Sequence, residues 1–129
     1  MGTLVAAAAL IGIAGSPASA GTSVTSWGVS LKQGCSYASQ GTFDHDGEWF
    51  RLKDVCADGW SPVMRVDVAP YSSTTNGYDF AIWNTTGNGT TTNVNKSYAE
   101  GTGVCIQAGS GEHSSGEWGS WGYWTCGTA

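Results

Sequence analysis

Four cysteines in two pairs of equal spacing are the feature that most constrains the fold of this chain. Cys35 and Cys56 are 21 residues apart, and so are Cys105 and Cys126. Four cysteines permit three pairings, but sequential pairing closes two local loops flanked by strand-like segments and needs no threading. We therefore expect the disulfides Cys35–Cys56 and Cys105–Cys126, each stabilising the fold by about 3 kcal/mol in the chain-entropy account.

The spacing of the cysteines does not favour the alternative of a zinc site. Structural zinc sites normally combine closely spaced cysteine pairs or nearby histidines. Here the cysteine spacings are wide and the only two histidines, His45 and His113, lie far apart in the sequence. We expect no metal and no cofactor.

The first 20 residues have the pattern of an export signal. An apolar, Ala-rich run over 4–15 is followed by Ala18-Ser19-Ala20, a small-x-small cleavage pattern. Cleavage after Ala20 predicts a single secreted, extracellular domain over 21–129, with no membrane segment in the mature form. The run is too short for a membrane anchor, which needs about 20 apolar residues. Because the opening residues carry no basic charge, we expect the true start to lie upstream.

The charge balance excludes one class of partner. Ten acidic residues against five Lys and Arg give a net charge of −5. A protein that tracks nucleic-acid phosphates needs a basic face, so we expect no nucleic-acid partner. Ser, Thr, Asn and Gly must then provide most of the polar surface, as is typical of secreted all-β proteins.

The hydrophobic pattern predicts short strands. Apolar residues alternate with polar ones, and Asn-Gly, Asp-Gly and Glu-Gly turns separate the runs. Met64, Val66 and Val68 are expected to face the core, with Arg65 and Asp67 outward. The seven or eight predicted strands cover 25–31, 39–43, 49–53, 63–68, 78–82, 90–94, 104–108 and 118–126.

This arrangement predicts an all-β fold, an antiparallel two-sheet sandwich, with a small barrel as the alternative. Within the segment 78–82, Tyr78, Phe80 and Ile82 are expected to form a buried row. The segment 21–30 has no cysteine tether, and we expect it to act as a mobile amino-terminal arm.

Three stretches of sequence resemble a known group of proteins. They are G-T-F at 41–43, G-E-W-F-R-L-K-D at 47–54 and A-D-G-W-S-P-V at 57–63. They look like the strand, turn and following apolar strand of the small secreted β-sandwich proteins of actinomycetes, Streptomyces above all. The late segment E-G at 100–101, V-C-I-Q-A at 104–108 and Cys126 is similar to the terminal half of those proteins, where a disulfide links the last two strands.

In size and pattern the chain also resembles the adaptor subunits of Streptomyces umbrella toxin particles, which join lectin subunits to a toxin-bearing stalk. This resemblance implies a non-catalytic connector that holds partners with its amino-terminal segment and exposed loops.

No catalytic motif accompanies this pattern. A serine nucleophile in a G-x-S-x-G elbow is missing from the sequence. His113 lies in a Gly- and Ser-rich turn, and the loop around His45 suggests a hairpin turn more than a cation site. A pair such as Glu112 and Glu117 could be drawn from any chain with ten acids, so it decides little. We expect no enzymatic activity and no catalytic residues.

Aromatic residues supply the best functional signal, because seven Trp and five Tyr exceed what one small core needs. Exposed Trp and Tyr anchor protein interfaces and also stack on sugars. The alternative is that the rings fill a core short of Leu and Ile and cover the second disulfide. The candidate partner-binding residues are Trp27, Val29, Trp60, Trp83, Trp118, Trp121, Tyr123 and Trp124.

Two functions are consistent with these residues. The first is an adaptor that binds secreted proteins through edge strands, the arm and aromatic loops, with a hydrolase inhibitor as a subtype. The second is a carbohydrate-binding module with a Trp and Tyr platform, whose partner would be a glycan.

Overall fold

The structure, a computed structural model, describes residues 20–32 and 34–129, so the predicted signal peptide lies almost wholly outside the described residues. Within that part the chain folds into nine strands. They are β1 (Val24–Val29), β2 (Tyr37–Asp44), β3 (Trp49–Asp54), β4 (Ser61–Val68), β5 (Phe80–Trp83), β6 (Thr91–Asn95), β7 (Gly103–Glu112), β8 (Glu117–Trp121) and β9 (Thr125–Thr128).

The strands form two open antiparallel sheets. Sheet I has the order β1-β2-β3-β6, and sheet II has the order β5-β4-β7-β8, with β9 also paired to β7. The arrangement confirms the predicted all-β antiparallel two-sheet sandwich rather than the small barrel. The connection from β5 to β6 passes from sheet II to sheet I.

The core lies between the sheets and follows the alternation read from the sequence. Phe43, Phe50 and Leu52 reach it from sheet I, while Met64 and Ile106 are among the residues that reach it from sheet II. Successive strand residues point to opposite faces, so the polar positions of the same strands lie on the outer faces. The alternation in β3, β4 and β7 therefore determines which side chains face the core and which face solvent.

Both predicted disulfides are present with sequential pairing. Cys35, in the connection from β1 to β2, is bonded to Cys56, just after β3. Cys105 and Cys126 are directly opposite each other in the pairing of β7 with β9. The first bond thus joins two connections beside sheet I, and the second bond joins β9 to β7.

The predicted final strand over 118–126 is wrong as a single element. It divides into β8 and β9, which pair with successive parts of β7. At the break, a Cβ on Gly122 would collide with the backbone carbonyl of Trp27. The close approach of β1 therefore forces the chain out of regular pairing at this point, and nine strands result instead of seven or eight.

The predicted buried row over 78–82 is correct for Ile82, while Phe80 is partly buried against the core and Tyr78 is exposed, contrary to the prediction. Strand β5 begins only at Phe80. Just before it, the Asp79 carboxylate accepts a hydrogen bond from the Val68 N–H at 2.7 Å. This loop contact leaves Tyr78 on the outer side of sheet II.

The segment 21–30, expected to be an arm, is mostly strand β1 in the structure. Thr22 is paired with Thr128 through backbone hydrogen bonds in both directions. The Ser26 hydroxyl donates to the Tyr123 carbonyl and accepts from the Ala108 N–H, both at 2.9 Å. Strand β1 is thus an edge strand that is also tied to sheet II.

Candidate functional site

The outer face of sheet II carries a layer of aromatic side chains, which we call the aromatic face. It lies on the side of the sheet opposite the core, where Trp83 is paired with Val63 across β5 and β4 and Trp121 with Gly109 across β8 and β7. The layer consists of Tyr78, Trp83, Trp118, Trp121 and Trp124.

Trp118 is the central ring of this layer. Its ring centroid lies 5.3 Å from that of Trp83 in a stacked arrangement and 5.0 Å from that of Trp121 in a tilted one. It also meets Tyr78 edge to face at 6.4 Å. Trp118 nevertheless remains 41% exposed. The rings therefore support one another while a large apolar area still faces solvent.

Two glycines of β7 let the rings lie against the sheet. A Cβ on Gly109 would come within 2.6 Å of Trp121 Cε3, and a Cβ on Gly111 within 3.1 Å of Trp83 Cη2. No other residue type fits at Gly109 without displacing the indole. These glycines therefore hold two of the rings close to the backbone of β7.

Arg65 of β4 lies within the aromatic face and is only 9% exposed. Its guanidinium carbon is 3.6 Å from the Trp121 ring centroid, and it lies 5.7 and 5.8 Å from those of Tyr78 and Trp124. One Nη donates to the Gln107 side-chain oxygen at 2.6 Å. The sequence correctly placed Arg65 outward, but the rings cover it.

This arginine has no acidic partner within 4.0 Å among the described residues, where the one ion pair joins Arg51 to Asp44. Its Nε is buried without a hydrogen-bond partner. Burial lowers the pKa of the Arg65 guanidinium. A buried cation held by rings and one amide is an unusual arrangement, because buried charges are normally paired.

The outer face of sheet I is polar by comparison. Outward positions of β2, β3 and β6 are occupied by Gln40, Thr42, Arg51, Lys53 and Asn93. The same face also carries Trp49 of β3 and, at its β1 edge, Trp27, which is paired with Gln40. The outer face of sheet I thus combines polar side chains with separate exposed aromatics, whereas the rings on sheet II pack against one another in one layer.

A second exposed apolar cluster lies at the edge formed by β1, and we call it the β1 patch. It comprises Trp27, Val29, Leu31, Tyr37 and Tyr123. Trp27 and Tyr37 have ring centroids 4.8 Å apart, and Tyr123 is 90% exposed. A shallow groove of about 230 Å³ runs between these side chains.

The predicted partner-binding residues thus fall into three places. Trp83, Trp118, Trp121 and Trp124 belong to the aromatic face, and Trp27, Val29 and Tyr123 belong to the β1 patch. Trp60 stands apart, half-buried at the end of the loop that follows β3.

Sequence reasoning missed Arg65, Gln107, Tyr78 and Tyr37 as members of these surfaces. The available signal was Arg65 itself, a charged residue between the apolar Met64 and Val66 of β4. Its outward position and the strand pairing of β4 with β7 place it opposite Gln107.

The residues considered for catalysis do not form a common site. His113 lies in the turn between β7 and β8, where its ring meets Trp83 edge to face at 5.0 Å. Glu112 and Glu117 face each other at the base of the same hairpin. His45 lies in the turn between β2 and β3, which the Asp44 carboxylate closes by accepting the Asp46 N–H.

No protein family model, no curated protein and no solved structure matches this chain. Among the described residues, no helix is long and apolar enough to cross a membrane. In the same part of the chain, no three His, Cys, Asp or Glu side chains lie together as a metal site would need.

Proposed function

We propose that this protein is a secreted, non-catalytic interaction module that binds other extracellular proteins through the aromatic face. The observation that carries the proposal is the single layer of mutually packed aromatic rings on the outer face of sheet II, whose central ring, Trp118, remains 41% exposed. Clustered Trp and Tyr side chains are the usual hot spots of protein interfaces.

The burial of Arg65 without an acidic neighbour among the described residues indicates that the proposed partner carries an acidic side chain. A carboxylate from a bound protein would supply the acidic group that the described residues do not provide. A carboxylate that reaches the part of the guanidinium left uncovered by the rings would form a strong charge-assisted contact. The proposed partner therefore presents an apolar segment that carries Asp or Glu.

The β1 patch is the proposed second contact surface. Because β1 is tied to sheet II, it offers exposed side chains rather than a free arm. Strand addition would instead use β6, which pairs only with β3 and is open on its far side in the described structure. Two separate surfaces would let one small domain join two partners, as the proposed role of connector in a secreted toxin particle requires.

The alternative of a sugar platform is less well supported on the aromatic face. A flat platform needs rings whose faces are free to stack on a glycan. Here Trp118 and Trp83 stack on each other, and Trp121 stacks on Arg65. This mutual packing favours a protein partner, and no feature of the described residues selects a hydrolase inhibitor.

The experiment is affinity purification of the tagged mature protein from the native culture supernatant, with two matched Trp variants. Trp118→Ala removes the centre of the aromatic face, while Trp49→Ala removes a Trp of similar exposure, 36%, from the outer face of sheet I. We expect the same proteins to be recovered with the wild type and Trp49→Ala and lost with Trp118→Ala.

Two outcomes would contradict the proposal. One is equal recovery by both variants, with near-ultraviolet circular dichroism showing both folded. The other is a protein that elutes alone but is retained on insoluble chitin or cellulose, which would favour the carbohydrate-binding module.

A further inference from the structure

The largest of three cavities among the described residues lies at the end of the sandwich, outside the aromatic face. It measures about 420 Å³, whereas two others measure about 230 Å³ each. Only the largest falls within the range of about 300 to 1,000 Å³ typical of small-molecule sites. It opens between the loop after β3, residues 56–60, and the connection from β5 to β6, residues 84–90.

Two carboxylates line this cavity in fixed positions. One oxygen of Asp54 accepts the Cys56 N–H at 3.1 Å, and one oxygen of Asp58 accepts the Trp60 N–H at 2.9 Å. The second oxygen of each has no hydrogen-bond partner among the described residues. Asp54 is only 4% exposed, and its burial, reinforced by the charge of Asp58, raises its pKa.

Trp60 forms an aromatic wall beside the carboxylates. The edge of its six-membered ring is held close to β8, where a Cβ on Gly119 would lie 2.8 Å from Trp60 Cζ3. The indole is half-buried and also lines the cavity. Its position is therefore set by the sheet and not by the loop alone.

The remaining lining groups restrict the ligand class. Among the described residues, no Lys or Arg lines this cavity, and Lys32 at its rim donates its ammonium to the Ala57 carbonyl at 2.9 Å, so the two carboxylates disfavour a phosphate, sulfate or carboxylate ligand. The two carboxylates would also accept hydrogen bonds from a primary ammonium ligand, which is therefore the competing occupant. The single aromatic residue of the lining, Trp60, provides a flat apolar wall for a sugar ring and not the cage of several rings that a quaternary ammonium ligand favours. The side chains of Ser61, Thr85 and Asn88 add uncharged donors and acceptors.

We propose that this cavity binds one uncharged sugar residue, with the C–H face of the sugar ring against Trp60 and its hydroxyl groups donating to the free oxygens of Asp54 and Asp58. Hydroxyl donors to carboxylates form short, strong hydrogen bonds. The site uses none of the residues of the aromatic face, so it is a function in addition to protein binding.

The test follows the Trp60 indole N–H signal by NMR in the full mature domain. The probes are the methyl glycosides of glucose, galactose, mannose and N-acetylglucosamine. We expect at least one to shift this signal saturably. Asp58→Asn, which keeps the oxygen that caps Trp60, should weaken that binding at least tenfold, and Asp46→Asn in the turn before β3 should leave it unchanged.

Three results would overturn the sugar site. They are no saturable shift with any of the four glycosides, equal binding by Asp58→Asn, and a stronger saturable shift with methylammonium chloride than with any sugar. Protein capture through Trp118 is unaffected by Asp58→Asn in this account, so failure of the sugar site and failure of the proposed interaction surface remain distinguishable.

Discussion

Replacing the buried Asn84 should cause a large loss of stability. The residue follows β5, is fully buried, and joins the two sheets at the β5–β6 connection. Its Nδ2 donates to the carbonyls of Leu52 at 3.1 Å and Thr90 at 2.9 Å, and its Oδ1 accepts the Thr86 N–H at 3.0 Å. At about 1 kcal/mol for each bond to the backbone, Asn84→Ala should lower the free energy of unfolding by about 3 kcal/mol.

The variant Asn84→Asp tests the same geometry with a near-isosteric side chain. An oxygen would replace the donor nitrogen and face two carbonyl oxygens, so burial and repulsion should raise the pKa of the new carboxyl. A raised folded-state pKa means that stability is retained below the unfolded pKa of about 3.9 and lost as the pH rises through the folded value. Asn84→Asp should therefore be nearer to the wild type at pH 3 than at pH 7.

The assay is urea unfolding followed by Trp fluorescence, with both disulfides kept oxidised. Asn93→Ala, an exposed position on β6, is the control and should change the free energy of unfolding by less than about 0.5 kcal/mol. A loss below about 1 kcal/mol for Asn84→Ala, or an Asn84→Asp variant whose deficit does not grow from pH 3 to pH 7, would refute this account of the connection.

Two further substitutions test other buried polar contacts. Asp54→Asn keeps an oxygen for the Cys56 N–H but removes a carboxylate whose pKa burial raises. This substitution should raise the free energy of unfolding at pH 7 and change it little at pH 3, where the protonated Asp and the Asn that replaces it are both neutral. A variant that is less stable than the wild type at pH 7 would contradict this expectation. Ser26→Ala removes the hydroxyl that is hydrogen-bonded to the backbone of Tyr123 and Ala108, and it should lower the free energy of unfolding by about 1 to 3 kcal/mol in urea. An unchanged free energy of unfolding would show that this contact does not hold β1 to sheet II.

The parts of the fold that the sequence predicted correctly depend on local signals. The alternation in β3 and β4 assigns each residue to a face, because a strand has a period of two. The equal cysteine spacing favoured sequential pairing, in which each cysteine bonds to the next cysteine along the chain and closes a local loop. Both features can be read without knowing which strands pair.

The parts that it missed depend on contacts between distant segments. The break between β8 and β9 arises where Gly122 approaches Trp27, and nothing within 118–126 indicates that approach. The burial of Arg65 likewise depends on Trp121 of β8 and on two loop residues, Tyr78 and Trp124. Trp121 and Tyr123 could be identified as surplus aromatics, but the surface to which each belongs could not.

The segment 21–30 shows the same limit. Its sequence predicted both a strand and a loosely held leading end, and the structure places it at an edge where Thr22 pairs with Thr128. That pairing joins the two ends of the described domain, which no local pattern could indicate. In the proposed function, the exposed side chains of β1 therefore contact the partner, and no free arm is involved.

The most direct test of the central claim is the affinity of a recovered partner for the two Trp variants, measured by biolayer interferometry. Loss of a hot-spot residue costs at least about 2 kcal/mol, which corresponds to about a thirtyfold weaker affinity. We predict that loss for Trp118→Ala and less than a threefold change for Trp49→Ala. Equal affinity of both variants and the wild type would contradict the claim that the aromatic face is the protein-binding surface.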